Sequence, residues 1–179
     1  MAIGGKVGTL VLLRVNGDIN EEGGLLDFKA GETFLFTSLP IAFSHRFNNN
    51  GGDRVVPKGQ IVITNSFFQE AATLAVNSTE GSVLPGSIRK FETTWEDGTL
   101  APDASFFSTV KYQLSHFHFG VYRAVLDVSW GESNQQGTSK TWLVIFPWQL
   151  LVVVGALLIA LSQGLRIYNR LIISRASAK

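Results

Sequence analysis

A two-sheet β-sandwich followed by one C-terminal transmembrane α-helix is the fold class that this sequence predicts. Two observations lead to this prediction. Apolar and polar residues alternate over about residues 33–146, and residues 142–161 then pass without a charged side chain. Alternation with a period of two is typical of half-buried strands. About 20 apolar residues are needed to cross the hydrocarbon layer of a bilayer.

The alternating region divides into short strands separated by turn residues. Turn signals rich in Gly, Asn and Pro lie at residues 48–53, 57–59, 80–81, 84–86 and 96–98. Strands at this short spacing indicate a sandwich, and no amphipathic helix is predicted before the C-terminal apolar segment. The strands are expected at residues 41–47, 60–64, 72–76, 91–95, 121–130 and 141–146.

The apolar segment is divided by Pro147, which is expected to be the first residue of a membrane helix over 147–168. Trp148 and Tyr168 stand at its two ends, where amphipathic rings favour the membrane interface. A buried core helix is the alternative. Basic residues prefer the cytoplasmic side of a membrane, so residues 169–179 are expected to be a cytoplasmic tail and the sandwich to be extracellular. The basic residues concerned are Arg166, Arg170, Arg175 and Lys179.

The first 32 residues are interpreted as an entry strand and a Gly-rich linker, the remnant of an upstream domain. No apolar stretch of the length of a secretory signal occurs in residues 1–15. Either the C-terminal helix directs insertion, or the chain is the C-terminal part of a longer exported protein. We favour the second interpretation, because a strand-like segment begins almost at once.

Composition excludes several classes of function. The chain has no cysteine, which excludes disulfides, thiolate metal sites and a cysteine nucleophile. The net charge of +1 supplies no basic face for nucleic acid. No phosphate-binding, dinucleotide-binding or serine-hydrolase motif is present. We therefore expect no catalytic residues and no cofactor.

Metal binding has weak candidates. His116 and His118 would face the same way on a strand and reach one metal ion, with His45 or a carboxylate as third ligand. Residues 50–53, and Asp97 with Asp103, offer oxygen ligands for Ca²⁺. Ordinary turns and polar positions beside core aromatics are the competing interpretations, and they are favoured.

Three further features suggest exposed or contact surfaces. Residues 77–79 form a glycosylation sequon, which agrees with an exposed loop. The adjacent aromatic pairs at 67–68 and 106–107 either expose one ring each or fold back on the core from loops at the sandwich ends. A stripe of small residues in the helix would let a second helix approach closely. It consists of Ala156, Ala160 and Gly164.

Several motifs resemble known protein families. Residues 119–126 (FGVYRAVL) resemble the Gly-x-Tyr-x-Ala strand of immunoglobulin-like and fibronectin-III-like sandwiches. The resemblance implies that the Tyr122 hydroxyl bonds to nearby backbone. Over about residues 7–150 the chain is similar to the membrane-proximal part of bacterial cell-surface proteins related to the WxL-interacting (DUF916-type) family. The motifs concerned are at residues 7–15, 47–49, 56–61 and 83–91.

The family resemblance implies an architecture and a surface-binding role, with no catalytic residue carried over. Three functions remain open from the sequence. The first is an anchored extracellular module on the lipid bilayer that binds a partner protein or cell-wall polymer, or presents an upstream domain. The second is an accessory subunit of a larger membrane complex. The third is an exported metal-binding module that uses His116 and His118.

Overall fold

The computed structural model describes residues 20–98, 100–101 and 103–176, and within them the chain forms eight strands and two helices. The predicted entry strand at residues 7–15 lies outside the described residues. In chain order the elements are β1 (Gly23–Ala30), β2 (Leu35–Phe36), β3 (Ile41–Asn49), β4 (Lys58–Asn65), β5 (Glu70–Val76), β6 (Ser87–Trp95), α1 (Phe106–Ser115), β7 (Gly120–Trp130), β8 (Gln135–Ile145) and α2 (Trp148–Ala176).

The strands form two sheets that enclose one core. One sheet has the order β1-β3-β6 and the other β2-β8-β7-β4-β5. Strands β1, β3 and β6 therefore occupy the positions of immunoglobulin strands A, B and E, and β4, β7 and β8 those of C, F and G. The short β2 pairs in parallel with β8, whereas the other pairs are antiparallel. The structure thus confirms the predicted class, an all-β immunoglobulin-like sandwich followed by one apolar helix.

The core is built from the alternate residues that the sequence pattern identified. On β3 the side chains of residues 41, 43, 45 and 47 are all buried, and on β7 those of residues 122, 124, 126, 128 and 130. The ring of Phe47 meets the ring of Trp130 edge-on at 4.9 Å between centroids, which joins the two sheets. Burial of this apolar surface is the main stabilising contribution to such a fold.

The start of the sandwich differs from the sequence prediction. Residues 16–32 were expected to be a linker or hairpin before a domain that begins at residue 33, but β1 pairs with β3 along its length and buries Phe28 and Ala30 in the core. The prediction is wrong for residues 23–30, while residues 16–19 lie outside the described residues. Two adjacent glycines and a register shift between Leu25 and Asp27 disturb the alternation that would reveal the strand.

Helix α1 was not predicted. Its buried residues are Thr109, Tyr112 and Gln113, which have helical spacing but are polar or amphipathic, so they give no apolar stripe. Its N-terminus is capped by Ser105, whose hydroxyl accepts a hydrogen bond from the backbone N–H of Ser108 at 3.3 Å. A serine just before the helix is the local sequence signal for its start.

Two residues separate the end of β8 from the start of helix α2. The backbone carbonyl of Pro147 accepts the bond from the N–H of Leu151 at 3.2 Å, so Pro147 stands at the helix entrance as expected. The helix continues to Ala176, beyond the predicted end of the membrane segment at residue 168, whereas the stretch that is apolar enough to cross a membrane ends at Arg170. Residues 169–176 contain good helix formers and no proline or glycine that would end the helix.

The sandwich has two chemically different ends. At one end, which we call the anchor end, strand β8 leads into α2. Strand β7 begins at the same end. The β4–β5 turn also lies there, because Asn65 at the end of β4 pairs with Tyr122 near the start of β7. The opposite end, called the distal end, holds the β7–β8 turn at 131–134 and the loops at 50–57, 77–82 and 84–86.

Candidate functional site

The long apolar surface of α2 is the most unusual feature of the molecule. One helical segment, Trp148–Arg170, is long and apolar enough to cross a membrane, and 6% of its most apolar stretch is buried against the rest of the chain. A core helix of a soluble protein would bury most of that surface. Trp148 and Tyr168 are both exposed and stand twenty residues apart, which corresponds to about 30 Å along a helix and to the thickness of a bilayer's hydrocarbon.

Helix α1 fixes the point at which α2 leaves the sandwich. The side chain of Gln113 is 1% exposed and bonds to three groups. Its amide nitrogen donates to the backbone carbonyl of Thr37 at 3.2 Å and to the side-chain oxygen of Gln149 at 2.8 Å. Its oxygen accepts from the backbone N–H of Leu150 at 3.0 Å. The first turn of α2 is therefore attached to α1 and to the loop before β3.

The other side of α1 is attached to the end of β6. The hydroxyl of Tyr112 donates to the backbone carbonyl of Asp97 at 2.6 Å. Burial raises the pKa of Tyr112, and the negative charge of Asp97 adds to this effect. The ring of Tyr112 also stacks on that of His116, with 4.7 Å between centroids. These contacts hold α1 across the anchor end.

The two candidate metal ligands, His116 and His118, do approach a common group. They lie in the turn between α1 and β7, not on a strand as predicted. Nε2 of His118 is 3.0 Å from Oδ2 of Asp97, and Nε2 of His116 is 4.0 Å from Oδ1 of the same residue. The proposed third ligand His45 is far from them, because it is buried in the core and stacks on Phe91 at 5.2 Å.

The geometry of this cluster does not favour a metal. Among the residues that the structure describes, no group of three or more His, Cys, Asp and Glu side chains is arranged to hold one. The Asp97 carboxylate instead lies within hydrogen-bonding distance of His118. The ring of His118 also meets Trp95 edge-on at 5.2 Å. The contact between Asp97 and His118 connects the loop after β6 to the segment before β7.

Exposed phenylalanines are concentrated at the anchor end. We call them the aromatic rim. Both aromatic pairs singled out in the sequence belong to it: Phe67 and Phe68 are 82% and 85% exposed, and Phe107 is 77% exposed. The interpretation that both rings of each pair fold back on the core is therefore wrong. The aromatic rim consists of Phe34, Phe67, Phe68, Phe106, Phe107, Phe117, Phe119 and Phe146.

The distal end receives the N-terminal part of the described chain. The backbone carbonyl of Asn20 accepts bonds from the N–H groups of Gly52 and Asp53, and the N–H of Asn20 donates to the Asp53 carboxylate at 3.1 Å. The Asn50 side-chain oxygen accepts from Asn48 at 2.7 Å. The oxygen atoms considered for Ca²⁺ at 50–53 therefore take part in hydrogen bonds of a loop. Within the described part of the chain, no hydrogen bond or ion pair links Asp103 to Asp97.

Two of the family-like motifs, at residues 47–49 and 83–91, meet at the distal end and have structural roles there. Asn49 is fully buried; its amide nitrogen donates to the carbonyls of Asp53 and Val83, at 2.8 and 2.9 Å. Its oxygen accepts from the N–H of Gly51 at 3.0 Å. Val83 in turn pairs with Val55 through two backbone hydrogen bonds. The motifs at 47–49 and 83–91 thus hold two loops together.

The sequon at 77–79 has its asparagine engaged in a turn. The amide nitrogen of Asn77 donates to the carbonyls of Pro57 and Gly81, each at 2.8 Å. Its oxygen accepts from the N–H of Gly81 at 2.6 Å. A glycan on this nitrogen would require at least one of these bonds to break. The following Ser78 and Thr79 are exposed, in agreement with the predicted surface loop.

Tyr122, for which the immunoglobulin resemblance implied a bond between hydroxyl and backbone, points into the core. Its side chain is buried beside Trp95, at 5.5 Å between ring centroids. Burial raises the pKa of Tyr122, while an interaction of its hydroxyl with the backbone of Phe119 works in the opposite direction. The bond of a tyrosine corner at Tyr122 stays an expectation from the resemblance.

The remaining predicted residues lie along α2. Ala156, Ala160 and Gly164 are exposed and, at four-residue spacing, share one side of the helix. Arg166 and Arg170 are exposed near the end of the apolar segment. The side chain of Arg175 and all of Lys179 lie outside the part of the chain that is described. The association and topology roles of these residues stay predictions.

Comparisons with known proteins identify no family. No family model matches the chain, and no curated protein matches it. Among solved structures, a β-glucuronidase of Bacteroides uniformis aligns with a TM-score of 0.45 and 10% identity, over 68% of this chain and 13% of that chain. The sporulation control protein Spo0M of Bacillus subtilis aligns with a TM-score of 0.41 and 13% identity, over 69% of this chain and 49% of that chain.

A third similar structure is the CARDB domain of a Pyrococcus furiosus protein, solved in complex with di-metal ions. It aligns with a TM-score of 0.40 and 12% identity, over 74% of this chain and 98% of that chain. The chain thus spans about an eighth of the glucuronidase and half of Spo0M. Similarities at these TM-scores are too weak to transfer a function.

Proposed function

We propose that this chain is a membrane-anchored extracellular module, in which α2 crosses the cell membrane once and the immunoglobulin-like sandwich lies outside. The carrying observation is the direct passage from β8 into α2, an apolar helix whose surface the rest of the chain leaves largely uncovered. Apolar surface of this extent is unfavourable in water and favourable in hydrocarbon. The basic residues after the apolar segment support a cytoplasmic C-terminus.

The arrangement of the two ends supports the role of the module. The described chain enters at the distal end, through hydrogen bonds between residue 20 and residues 52–53, and leaves at the anchor end. A sandwich strand of eleven residues, such as β7, is about 35 Å long. The point at which residue 20 enters the sandwich would therefore lie away from the bilayer. We propose that the module presents an upstream domain, or binds a partner protein or wall polymer, at the distal end.

The proposal is tested on the full chain in its native membrane. Carbonate washing should leave the chain in the membrane fraction. A protease added outside intact cells should degrade the sandwich, and it should leave a short protected fragment that contains α2. Release by carbonate would contradict the anchor. Protection of the sandwich in intact cells, followed by degradation after lysis, would contradict the extracellular orientation alone.

An accessory role in a larger membrane complex is the second candidate. The observation in its favour is the stripe of Ala156, Ala160 and Gly164 on one exposed side of α2, which would allow close helix packing. Purification in mild detergent distinguishes the two candidates. A stoichiometric membrane partner that is lost in an Ala156→Leu/Ala160→Leu variant would favour the complex. An isolated chain would favour the anchored module.

A further inference from the structure

We infer that the aromatic rim lies in the headgroup layer of the same bilayer that α2 crosses, so that the sandwich rests on the membrane with its anchor end down. This inference depends on the proposed function, because it requires α2 to span a bilayer. It adds a second membrane-binding surface, formed by the folded domain itself. Its ligand is the lipid surface, and the residues concerned lie outside α2.

The first argument is the distribution of exposed rings. Eight phenylalanines in the described part of the chain are exposed, and all eight lie at the anchor end. None of the eight lies at the distal end, where Leu84 and Ile88 are the exposed large apolar residues in the 84–88 segment. Exposed apolar patches of this kind mark contacts with proteins or membranes. Exposure of eight phenylalanine rings to water would be unfavourable. A contact surface at the anchor end would explain why the rings are concentrated there.

The second argument is the order of these rings along the larger sheet. Phe34 precedes β2, Phe146 follows β8, Phe119 precedes β7, and the pair Phe67–Phe68 forms the β4–β5 turn. The strand order β2-β8-β7-β4-β5 therefore places these rings in sequence along one sheet edge. Four strand spacings cover roughly 19 Å. The rim is a broad band and not a single protruding loop.

Helix α1 extends the band beside α2. The ring of Phe106 lies 6.1 Å from that of Trp148, the first residue of the candidate span. Phe107 and Leu114 are exposed on the same helix. The Phe119 ring approaches Phe146 at 6.1 Å, so the sheet edge and the entrance of α2 form one continuous apolar surface. This continuity favours lipid as the contact over a separate protein partner.

The third argument is the length of the connection. Only Phe146 and Pro147 separate the last residue of β8 from α2. Three residue steps span at most about 11 Å. The bonds of Gln113 to Gln149 and Leu150 remove the remaining freedom of this hinge. If α2 crosses a bilayer from Trp148 onward, the anchor end cannot stand clear of the headgroups.

Charge at the anchor end indicates which lipid to use as a probe. Among the described residues at this end, the carboxylates Glu32, Glu70, Glu96 and Asp97 outnumber the exposed lysines Lys29 and Lys111. Carboxylates are repelled by anionic lipid surfaces. The contact is therefore expected with zwitterionic lipid, through aromatic rings that favour the interface. Phosphatidylcholine is the suitable probe.

The absence of cysteine from the sequence allows a direct test. Single cysteines carrying a nitroxide are placed in the full chain, in phosphatidylcholine nanodiscs. Reporters at Gln69→Cys and Lys111→Cys stand beside intact rim residues. Ile88→Cys reports on the distal end, and Leu157→Cys on the span. Oxygen, which concentrates in lipid, and a water-soluble nickel chelate are compared as relaxing agents at each site.

The expected result is an oxygen-to-nickel accessibility ratio at positions 69 and 111 several-fold above that at Ile88→Cys. Adding Phe67→Ser and Phe68→Ser to the Gln69→Cys chain should return its ratio toward the distal value. Both phenylalanines are more than four-fifths exposed, so these variants are expected to fold.

Three results would overturn the inference. Ratios at 69 and 111 equal to that at 88, with lipid exposure retained at 157, would overturn the rim contact and leave the anchor intact. Shielding of 69 and 111 from both agents would assign the rim to a protein contact. Water exposure at 157 would remove the proposed function as well.

Discussion

The side-chain oxygen of Gln113 accepts a hydrogen bond from the backbone N–H of Leu150, with 3.0 Å between the two atoms. Leu150 is the third residue of α2, where backbone N–H groups have no partner within their own helix. Leu150 is also buried. A side chain of α1 therefore supplies the cap that α2 lacks, and the junction of sandwich and helix depends on it.

Replacement of Gln113 by alanine should lower the free energy of unfolding by about 2–3 kcal/mol, because it leaves buried backbone and side-chain groups without partners. Urea unfolding of the full chain in detergent measures this loss. Hydrogen exchange at the Leu150 amide should become faster. The exposed Gln60 gives the matched control, and Gln60→Ala should change stability little. Equal stability of the two variants would show that the junction does not depend on Gln113.

The strands with a regular alternation were predictable from the sequence, as β3 and β7 illustrate. Every second residue of these strands is buried in the core. The alternation of apolar and polar residues therefore predicted both the strand and its buried face. Strand β1 was missed because Gly23, Gly24 and a bulge interrupt its pattern. Strand β2 consists of two residues and carries no pattern of its own.

The candidate site was less predictable, because it depends on a helix with polar buried residues. Gln113 gives no hydrophobic signal, and its partners are 76 and 36 residues away along the chain. The two aromatic pairs were recognised, but their position at one end follows from strand order, which a single sequence does not specify. The candidate span was predicted from length and the absence of charge alone.

His45 gives the sandwich a pH-dependent stability. Burial lowers the pKa of His45 below its ordinary value of 6.5, and the negative charge of Asp27 opposes this shift. Between the two pKa values the unfolded chain therefore binds more protons than the folded chain. The free energy of unfolding is then expected to fall as the pH is lowered below 6.5. Urea unfolding at a series of pH values measures the slope.

Replacement of His45 by phenylalanine should remove this contribution to the slope. The Nδ1 atom of His45 is buried without a hydrogen-bond partner, and the ring already stacks on Phe91. An apolar ring of similar shape should therefore raise stability by about 1 kcal/mol. The gain should be larger below the ordinary histidine pKa than above it. Parallel pH profiles for the two proteins would show that another group titrates.

Gly59 explains one of the family-like motifs, since no larger residue fits at its position. A β-carbon at residue 59 would collide with the backbone oxygen of Asp127 and lie 2.8 Å from the Cα of Val128 on β7. Gly59→Ala should therefore separate β4 from β7 and cost about 1–3 kcal/mol. In Gly52→Ala the added carbon meets nothing within 4 Å. Urea unfolding should give a lower free energy of unfolding for Gly59→Ala than for Gly52→Ala. Equal free energies would mean that β4 and β7 can move apart at little cost.

The orientation of the anchor should depend on the basic residues that follow the apolar segment, since translocation of arginine and lysine is disfavoured. Replacing all four by glutamine should raise the fraction of chains whose C-terminal tag is accessible outside intact cells. The matched control replaces Arg54 and Arg89, which are at the distal end, and should leave orientation unchanged. An unaltered orientation in the fourfold variant would mean that folding of the sandwich, and not charge, sets the topology. The four positions are Arg166, Arg170, Arg175 and Lys179.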